Sequence, residues 1–286
     1  MHFSEAFKSA YKDWVGRRSF STLRRMERTL SPDALFSFLQ PFFFARATLN
    51  CAFRNRGFST TRPDFLQVSD TRRAERQQRM DTYSSRLLES FNDRFAEEKW
   101  LQRCRIEGLD PLLSARSEGR PVILAVYHFG PFPLLKYWLR ARGIPASSLL
   151  GGKSESRSPF DCPRRQFCLF PEIPLRFHVD QLRAVDEFLA AGNVLITTLD
   201  GLVGRRMDVP FCDGWTFQMA TAAARFAIRR QADLMTCSIV DEGRWRFLTK
   251  LGRPVPRELL AEKNHWLPAA EYMVQEMMPV LRAYPE

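Results

Sequence analysis

One stretch of this sequence, VILAVYHFGPFP at residues 122–133, decides the fold. An apolar run of strand length ends at His128, a Gly-Pro turn follows, and residues 134–142 have the pattern of a helix. The unbroken apolar run predicts a strand that is buried on both faces. Open α/β sheets bind ligands outside the carboxyl ends of their strands, so His128 occupies a position where such proteins hold reactive side chains.

The chain beyond residue 121 alternates between apolar strands and amphipathic helices. Strands are predicted at residues 121–127, 147–150, 194–199, 234–240 and 244–251. Helices are predicted at residues 134–142, 179–191, 216–229 and 265–281. This alternation predicts an α/β fold with a mixed, largely parallel central sheet that is flanked by helices.

The N-terminal part of the chain is helical in pattern and contains an aromatic segment. Residues 31–53 read SPDALFSFLQPFFFARATLNCAF, with Gln40 and Pro41 interrupting the apolar run. Three interpretations are open: a buried pair of core helices, a helix lying in the membrane interface beside neighbouring arginines, or a transmembrane span. Residues 68–106 predict an amphipathic helix with a break and a solvated charged face. Its apolar stripe comprises Leu87, Leu88, Phe91, Phe95 and Trp100.

No linker rich in Pro, Gly or Ser separates the two parts of the chain. We therefore expect one continuous domain, in which a helical, membrane-facing region at residues 1–110 packs on an α/β core at residues 111–286. The first residues lack the apolar segment of a cleavable signal peptide.

The chain carries a large excess of positive charge. It has 43 basic and 32 acidic residues, a formal net charge of +11 at pH 7. Such an excess favours an anionic partner: a nucleic acid, an anionic membrane surface or an acidic protein. The basic residues are spread along the chain, and neither zinc-finger spacing nor an RNA-recognition motif occurs, so no nucleic-acid partner is expected. The six cysteines lack the spacing of a metal site, which predicts reduced and mostly buried thiols.

His128 is the first candidate for catalysis. A neutral imidazole can take a proton from a hydroxyl or amine as that group attacks a carbonyl carbon. Gly130 allows the chain to turn closely behind the histidine, and Pro131 suits the first turn of the next helix. The start of that helix is expected to direct free N–H groups toward the same pocket, where they could hold an oxyanion.

Two further groups of polar residues follow predicted strands. The segment TTLDGLVGRR contains Asp200, Arg205 and Arg206, which suit a phosphate or another anionic group. A turn with solvated charges has the same composition, and the residues alone leave both interpretations open. The segment GGKSESR contains Lys153 and Arg157, a basic loop suited to an anionic acceptor.

Several common catalytic signatures are absent from the sequence. There is no G-x-S-x-G, which argues against the nucleophile of an α/β-hydrolase, and no H-E-x-x-H zinc motif. The spacing of the phosphate-binding P-loop does not occur either. No metal site is expected.

Taken together, these segments resemble the lysophospholipid acyltransferase superfamily, in particular the branch of the lipid A lauroyl acyltransferases. The likeness covers most of the chain and includes the strand ending in His128, the basic loop, and the strand ending in Asp200 with its Gly/Arg loop. It continues through VPFCDG at residues 209–214 into a helix of small residues. The family signature is H-x-x-x-x-D/E, and Pro133 stands where the family has its acid.

The resemblance implies transfer of an acyl group from an acyl carrier protein or acyl-CoA thioester to a lipid, sugar or amine acceptor, with no cofactor. His128 inherits the role of general base. The family's acid orients this histidine, which Pro133 cannot do, and Asp200 is the favoured substitute because it should lie at the same sheet edge. The substrate-binding residues would be Gly130, Lys153, Arg157, Arg205 and Arg206.

The implied partners are the acyl carrier or CoA and an anionic membrane surface, at the cytoplasmic face of the cytoplasmic membrane. The missing acid also permits a second interpretation. In that case the chain keeps the fold without catalysis and serves as a module that binds lipid or carrier protein.

Overall fold

The computed structural model describes an α/β fold over most of the chain. It describes residues 21–53, 71–127, 130–150, 173–174, 176–201, 204–211, 214–260 and 266–284, without the side chains of residues 50–53, 71–75 and 150. The helices are α1 (residues 21–29), α2 (Pro32–Phe53), α3 (Thr71–Glu89), α4 (Glu98–Leu101), α5 (Asp110–Ser117), α6 (Leu135–Ala141), α7 (Leu182–Ala190), α8 (Ala222–Arg230), α9 (Arg257–Leu260) and α10 (Leu267–Ala283). The strands are β1 (Cys104–Glu107), β2 (Val122–Val126), β3 (Ala146–Leu150), β4 (Arg176–His178), β5 (Val194–Thr198), β6 (Arg206–Pro210), β7 (Thr216–Ala220), β8 (Asp233–Gly243) and β9 (Arg246–Pro254).

A seven-stranded sheet forms the centre of the molecule, in the order β1-β9-β8-β2-β5-β3-β4. Strands β8, β2, β5, β3 and β4 run parallel to one another, whereas β9 is antiparallel to β8 and β1 is parallel to β9. Strands β6 and β7 form a separate antiparallel hairpin. The sheet is therefore mixed, largely parallel and flanked by helices, which confirms the fold class predicted from the sequence.

Strand β2 lies in the middle of the sheet, and helices cover both of its faces. All five of its residues are at most 1% exposed. Val122, Leu124 and Val126 join a core cluster with side chains of α2, α3 and α6. Ile123 and Ala125 join a second cluster with side chains of α7, α8 and α10. A strand that is buried on both sides needs a continuous apolar run, as this sequence has.

The aromatic segment forms α2, a single helix that continues through Pro41. The sequence left open a pair of core helices here, and a pair is wrong, because the chain does not break at Pro41. One side of the helix packs in the core through Leu35, Leu39, Phe43 and Ala47. The other side exposes Phe38, Phe42, Phe44 and Leu49, which we call the α2 patch. No described helix is both long enough and apolar enough to cross a membrane.

Ion pairs tie the helices before the sheet to the segment around α4. The Glu27 carboxylate is fully buried, accepts a hydrogen bond of 2.7 Å from Trp100 Nε1 and lies 3.1 Å from Lys99 Nζ. Asp33 accepts two hydrogen bonds from the Arg103 guanidinium, at 2.9 and 2.6 Å. Because these contacts join α1 and α2 to the segment around α4, the N-terminal helices hold a fixed position on the sheet.

Four short strands were not predicted from the sequence, and one helix was predicted too long. Residues 216–229 were expected to be helical, but residues 216–220 form β7 and only α8 is helical. Strands β1, β4 and β6 are also additional. None of these strands has a buried apolar run that would mark it in the sequence. Each forms because it pairs with another strand, which is either remote in the sequence or across a hairpin.

Candidate active site

The carboxyl ends of β5, β2 and β8 meet at one edge of the sheet because these strands are adjacent and parallel. Tyr127 follows β2, Asp200 follows β5 by two residues, and Asp241 lies two residues before the end of β8. We call this the carboxyl edge. His128 comes directly after Tyr127 in the sequence and lies outside the described residues.

Two backbone hydrogen bonds of Leu199, the residue before Asp200, hold this part of the chain at the carboxyl edge. The N–H of Leu199 donates to the carbonyl of Val126 at 2.7 Å, which extends the pairing of β5 with β2. The carbonyl of Leu199 accepts from the N–H of Ala220, at the end of β7, at 2.6 Å. Asp200 is half-buried. The backbone of Asp200 thus lies next to the end of β2.

Tyr127 is a residue of the edge that sequence reasoning missed. Its ring packs on Phe217 of β7 with centroids 4.9 Å apart, and Phe217 in turn lies 6.3 Å from Phe211. The hydroxyl oxygen is buried and makes no hydrogen bond with any described residue. Burial, and then the nearby charge of Asp200, raise the pKa of Tyr127 far above its usual value. The phenol is therefore a neutral hydrogen-bond donor at any physiological pH.

Gly130 brings the turn after β2 against β8. It has a φ of +66°, in the left-handed region, and a Cβ at this position would lie 1.9 Å from the carbonyl oxygen of Ile239. Any other residue would push the turn off β8, which explains why the sequence has glycine here.

The segment after Gly130 differs from expectation. A 3-10 turn at Phe132–Leu134 precedes α6. The N–H groups of Phe132 and Leu134 donate to the carbonyls of Gly130 and Pro131, at 3.0 and 2.9 Å. The idea that these N–H groups are free to hold an oxyanion is therefore wrong, because the tighter turn uses them internally.

The predicted anion-binding residues fall into three situations. The Arg206 guanidinium donates to the carbonyl of Gly201 at 3.1 and 2.9 Å and to Gln218 Oε1 at 3.1 Å, so it braces the loop against β7. Arg205 is exposed. Lys153 and Arg157 lie outside the described residues.

Asp241 is a second acid at the carboxyl edge, and it too was missed. Burial raises its pKa to about 6, and the charge of Glu242 adds to this effect. The N–H of Gly243 donates to Asp241 Oδ1 at 2.8 Å and opposes the rise. The signal in the sequence was its place at the end of the third buried strand. In the described part of the chain, no three His, Cys, Asp or Glu side chains converge to hold a metal ion.

The chain has little likeness to characterised proteins. No protein-family model matches it, and no curated protein matches its sequence. Among solved structures, a crystal structure of the 1-acyl-sn-glycerophosphate (LPA) acyltransferase PlsC from Thermotoga maritima is similar over 91% of this chain and 99% of that chain. The TM-score is 0.42 and the sequence identity is 15%. A likeness of this degree assigns neither a fold family nor an activity to the chain.

Proposed function

We propose that this protein is an acyltransferase that moves an acyl group from an acyl carrier protein or acyl-CoA thioester to a lipid, sugar or amine acceptor. His128 is the general base and Asp200 is the acid that orients it. The proposal starts from the sequence resemblance, in which His128 ends the strand of the H-x-x-x-x-D/E signature and Pro133 replaces the signature acid.

The observation that carries this proposal is the pairing of β2 with β5. The register aligns Val126 with Thr198, and the Leu199–Val126 hydrogen bond continues it by one step. Asp200 therefore lies at the strand end beside the one that His128 follows in the sequence. A carboxylate on the neighbouring strand can replace an acid five residues after the histidine, because what matters is the spatial position of the acid.

The chemistry needs one proton carrier and a leaving thiolate. The oxygen or nitrogen of the acceptor forms a bond with the thioester carbon, and His128 takes the proton that this acceptor hydroxyl or amine loses. The carbon–sulfur bond then breaks, and the imidazolium returns the proton to the leaving thiolate. Asp200 stabilises the imidazolium and fixes the ring. Each turnover yields an ester or amide and a free thiol, with no cofactor consumed.

The α2 patch supports a membrane as the place of action. Phe38, Phe42 and Leu49 are each more than half exposed, and Phe44 is 46% exposed. The Arg76 guanidinium lies 4.9 Å from the centre of the Phe44 ring, at the border of the patch. Aromatic side chains beside cationic ones suit the interface of an anionic bilayer. We therefore place the protein peripherally on the inner face of the cytoplasmic membrane, where lipid and carrier substrates meet.

The catalytic assignment is tested by two substitutions with matched controls. We expect His128→Ala to lower the rate of acyl transfer from a labelled acyl carrier protein or acyl-CoA by roughly 10²–10⁴-fold. Asp200→Asn should lower kcat by about tenfold or more, with little change in KM, since the acid acts through the histidine. His178→Ala at the end of β4 and Asp208→Asn on the exposed side of β6 should leave the rate unchanged.

The same assay separates the proposed enzyme from a binding module. Full transfer activity in the His128→Ala variant rejects the catalytic role of this histidine. Activity lost with His128→Ala but kept with Asp200→Asn means that another group replaces the signature acid. A wild-type chain that binds acyl carrier protein or lipid but transfers nothing is the non-catalytic module.

Membrane attachment is tested by changing the α2 patch alone. The pair Phe38→Ser and Phe42→Ser should lower binding to vesicles of anionic phospholipid by roughly tenfold to a hundredfold, because each ring loses apolar contact with the bilayer. The control pair is Leu113→Ser and Leu182→Ser, which removes exposed apolar side chains of 43% and 51% exposure elsewhere. Equal loss in both pairs, measured by flotation, would contradict a specific role for α2.

A further inference from the structure

The central sheet carries helices on two faces, and these faces lead to different surfaces. Helix α2 shares one core cluster with Leu124 of β2, whereas α8 shares the other cluster with Ile123 and Ala125. Because neighbouring side chains of a strand point to opposite faces, the α2 patch and the outer side of α8 lie on opposite sides of the sheet. A bilayer that binds the α2 patch therefore does not reach the outer side of α8, which is left to a partner in solution.

The outer side of α8 is strongly basic. Arg225 and Arg229 are exposed and lie one turn apart on this helix, which ends at Arg230. Arg205, directly before β6, is also exposed. We call these four arginines the α8 surface. Asp186 of α7 lies 2.6 Å from Arg229 and 3.0 Å from Arg230, and among the described residues it is the one acid that forms an ion pair with any of the four. The α8 surface therefore keeps a net positive charge.

Arg205 connects the α8 surface to the carboxyl edge. Its carbonyl accepts hydrogen bonds from the N–H and the hydroxyl of Thr221, the residue before α8, at 3.0 and 3.1 Å. The preceding residue, Ala220, donates its N–H to the carbonyl of Leu199 at 2.6 Å, directly before Asp200. The α8 surface thus begins beside the candidate active site and continues along the helix away from it.

Two of these arginines are available to another molecule. The guanidinium groups of Arg205 and Arg225 make no hydrogen bond or ion pair with a described residue. Carboxylates of a partner can therefore pair with them without breaking a contact inside the protein. Complementary charges of this kind steer the encounter of two proteins and fix their orientation.

We propose that the α8 surface is the docking site for an acyl carrier protein, a soluble acidic protein that brings the acyl thioester to the carboxyl edge. The identity of this partner rests on the proposed function, whereas the site rests on the charge and position of the α8 surface. Carboxylates of the carrier pair with Arg205 and Arg225, and the thioester arm enters at the carboxyl edge. The protein thus binds the membrane on one side of the sheet and the donor on the other.

The docking site is tested by binding of a holo acyl carrier protein that bears no acyl group. The carrier is labelled with a fluorophore and titrated with the full chain, and fluorescence anisotropy gives the Kd. The α8 variant combines Arg205→Glu and Arg225→Glu. The control is the α1 variant, which combines Arg25→Glu and Arg28→Glu; both arginines are exposed, and α1 packs on the same core cluster as α2. The two variants have the same net charge. Flotation with vesicles of phosphatidylglycerol and phosphatidylethanolamine measures membrane binding of each protein.

We expect the wild type and the α1 variant to bind the carrier equally, and the α8 variant to bind it at least about tenfold more weakly, because attraction becomes repulsion. Raising the ionic strength from about 0.05 M to about 0.3 M should weaken binding by the wild type, since the paired charges are exposed. The α8 variant should bind vesicles as the wild type does. Lysine in place of acidic surface residues of the carrier should restore part of its binding to the α8 variant, which a misfolded chain would not show.

Four outcomes overturn the proposal: no binding of the carrier by the wild type, undiminished binding by the α8 variant, an equal loss in the α1 variant, or a loss of vesicle binding in the α8 variant, which would place α8 at the membrane. The fate of the proposed function is read separately from transfer assays. Carrier binding without acyl transfer rejects the enzyme and keeps the docking site, whereas transfer from acyl-CoA without carrier binding does the reverse.

Discussion

Asp241 shows how the end of a strand can create an unusual carboxyl group. It lies at the end of β8, its own loop provides the N–H of Gly243 as a hydrogen-bond donor, and no ion pair with it occurs within the described ranges. Desolvation of the charged form therefore dominates, and the pKa rises from 3.8 to about 6. At neutral pH the folded protein bears the cost of ionising this group in a poorly hydrated place.

This cost predicts the effect of Asp241→Asn. Because the folded pKa lies above the unfolded one, the neutral carboxyl stabilises the fold at low pH, and this stability is lost as the pH rises through 6. The uncharged amide avoids the loss and keeps an oxygen for Gly243. We expect the variant to be more stable than the wild type by about 1–3 kcal/mol at pH 7.5. Urea unfolding at pH 7.5 and 4.5 should show the gain shrinking by more than half at the lower pH; a variant less stable at pH 7.5 would contradict it.

The N-terminal helices are fixed by charged groups, which a helical pattern in the sequence does not reveal. Glu27 is fully buried beside Trp100, Lys99 and Arg94, so its charge is compensated in a place that water does not reach. Removing one partner of a buried ion pair leaves the others uncompensated.

Glu27→Gln should therefore destabilise the protein, although glutamine can still accept from Trp100. We expect a loss of about 2–4 kcal/mol in the free energy of unfolding, measured in urea. The matched control is Glu97→Gln, whose carboxylate is 37% exposed and pairs with Arg94 at 2.6 Å. That change should cost less than about 1 kcal/mol. Similar losses in the two variants would show that burial of Glu27 is unimportant.

The same element-scale reasoning explains which segments could be predicted. Strand β2 is apolar throughout and β5 begins with three apolar residues, because both faces of these strands are covered, and such runs are visible in the sequence. Strand β7, at residues 216–220, has only two buried residues, at its end, and it runs directly into the Ala-rich segment of α8. Whether this segment is a strand or a helix depends on its pairing with β6, a contact that local sequence does not encode.

At the scale of the whole molecule, the N-terminal helices and the sheet share one core. Leu35, Phe91 and Trp100 belong to the same cluster as Leu124 and Ile239 of the central strands. Strand β1 lies before α5 in the chain and still covers one edge of the sheet by pairing with β9. The molecule should therefore fold as one cooperative unit.

A truncated chain that begins at Asp110 tests this coupling. It would lack β1 and the α2 and α3 side chains that complete one core cluster of β2, so we expect it to aggregate or to remain without fixed tertiary structure. Near-ultraviolet circular dichroism and the dispersion of amide proton resonances report the outcome. A cooperative unfolding transition of the truncated chain would show instead that residues 110–286 are an independent domain.

The sequence by itself determined the elements whose burial is complete on both faces, and hence the α/β class and the position of Asp200 beside the end of β2. It also placed Gly130 in a close turn, because only glycine has that conformational freedom. These features follow from local composition and from the rule that neighbouring parallel strands end at the same edge.

Only the tertiary structure decided which faces and charges meet. It divided α2 into a buried side and the exposed α2 patch, although both are apolar, because the choice depends on what packs against each side. It brought Tyr127 under Phe217 and next to Asp200, where burial and a neighbouring charge set its hydrogen-bonding state. Desolvation depends on neighbours far apart in the chain, which no local pattern records.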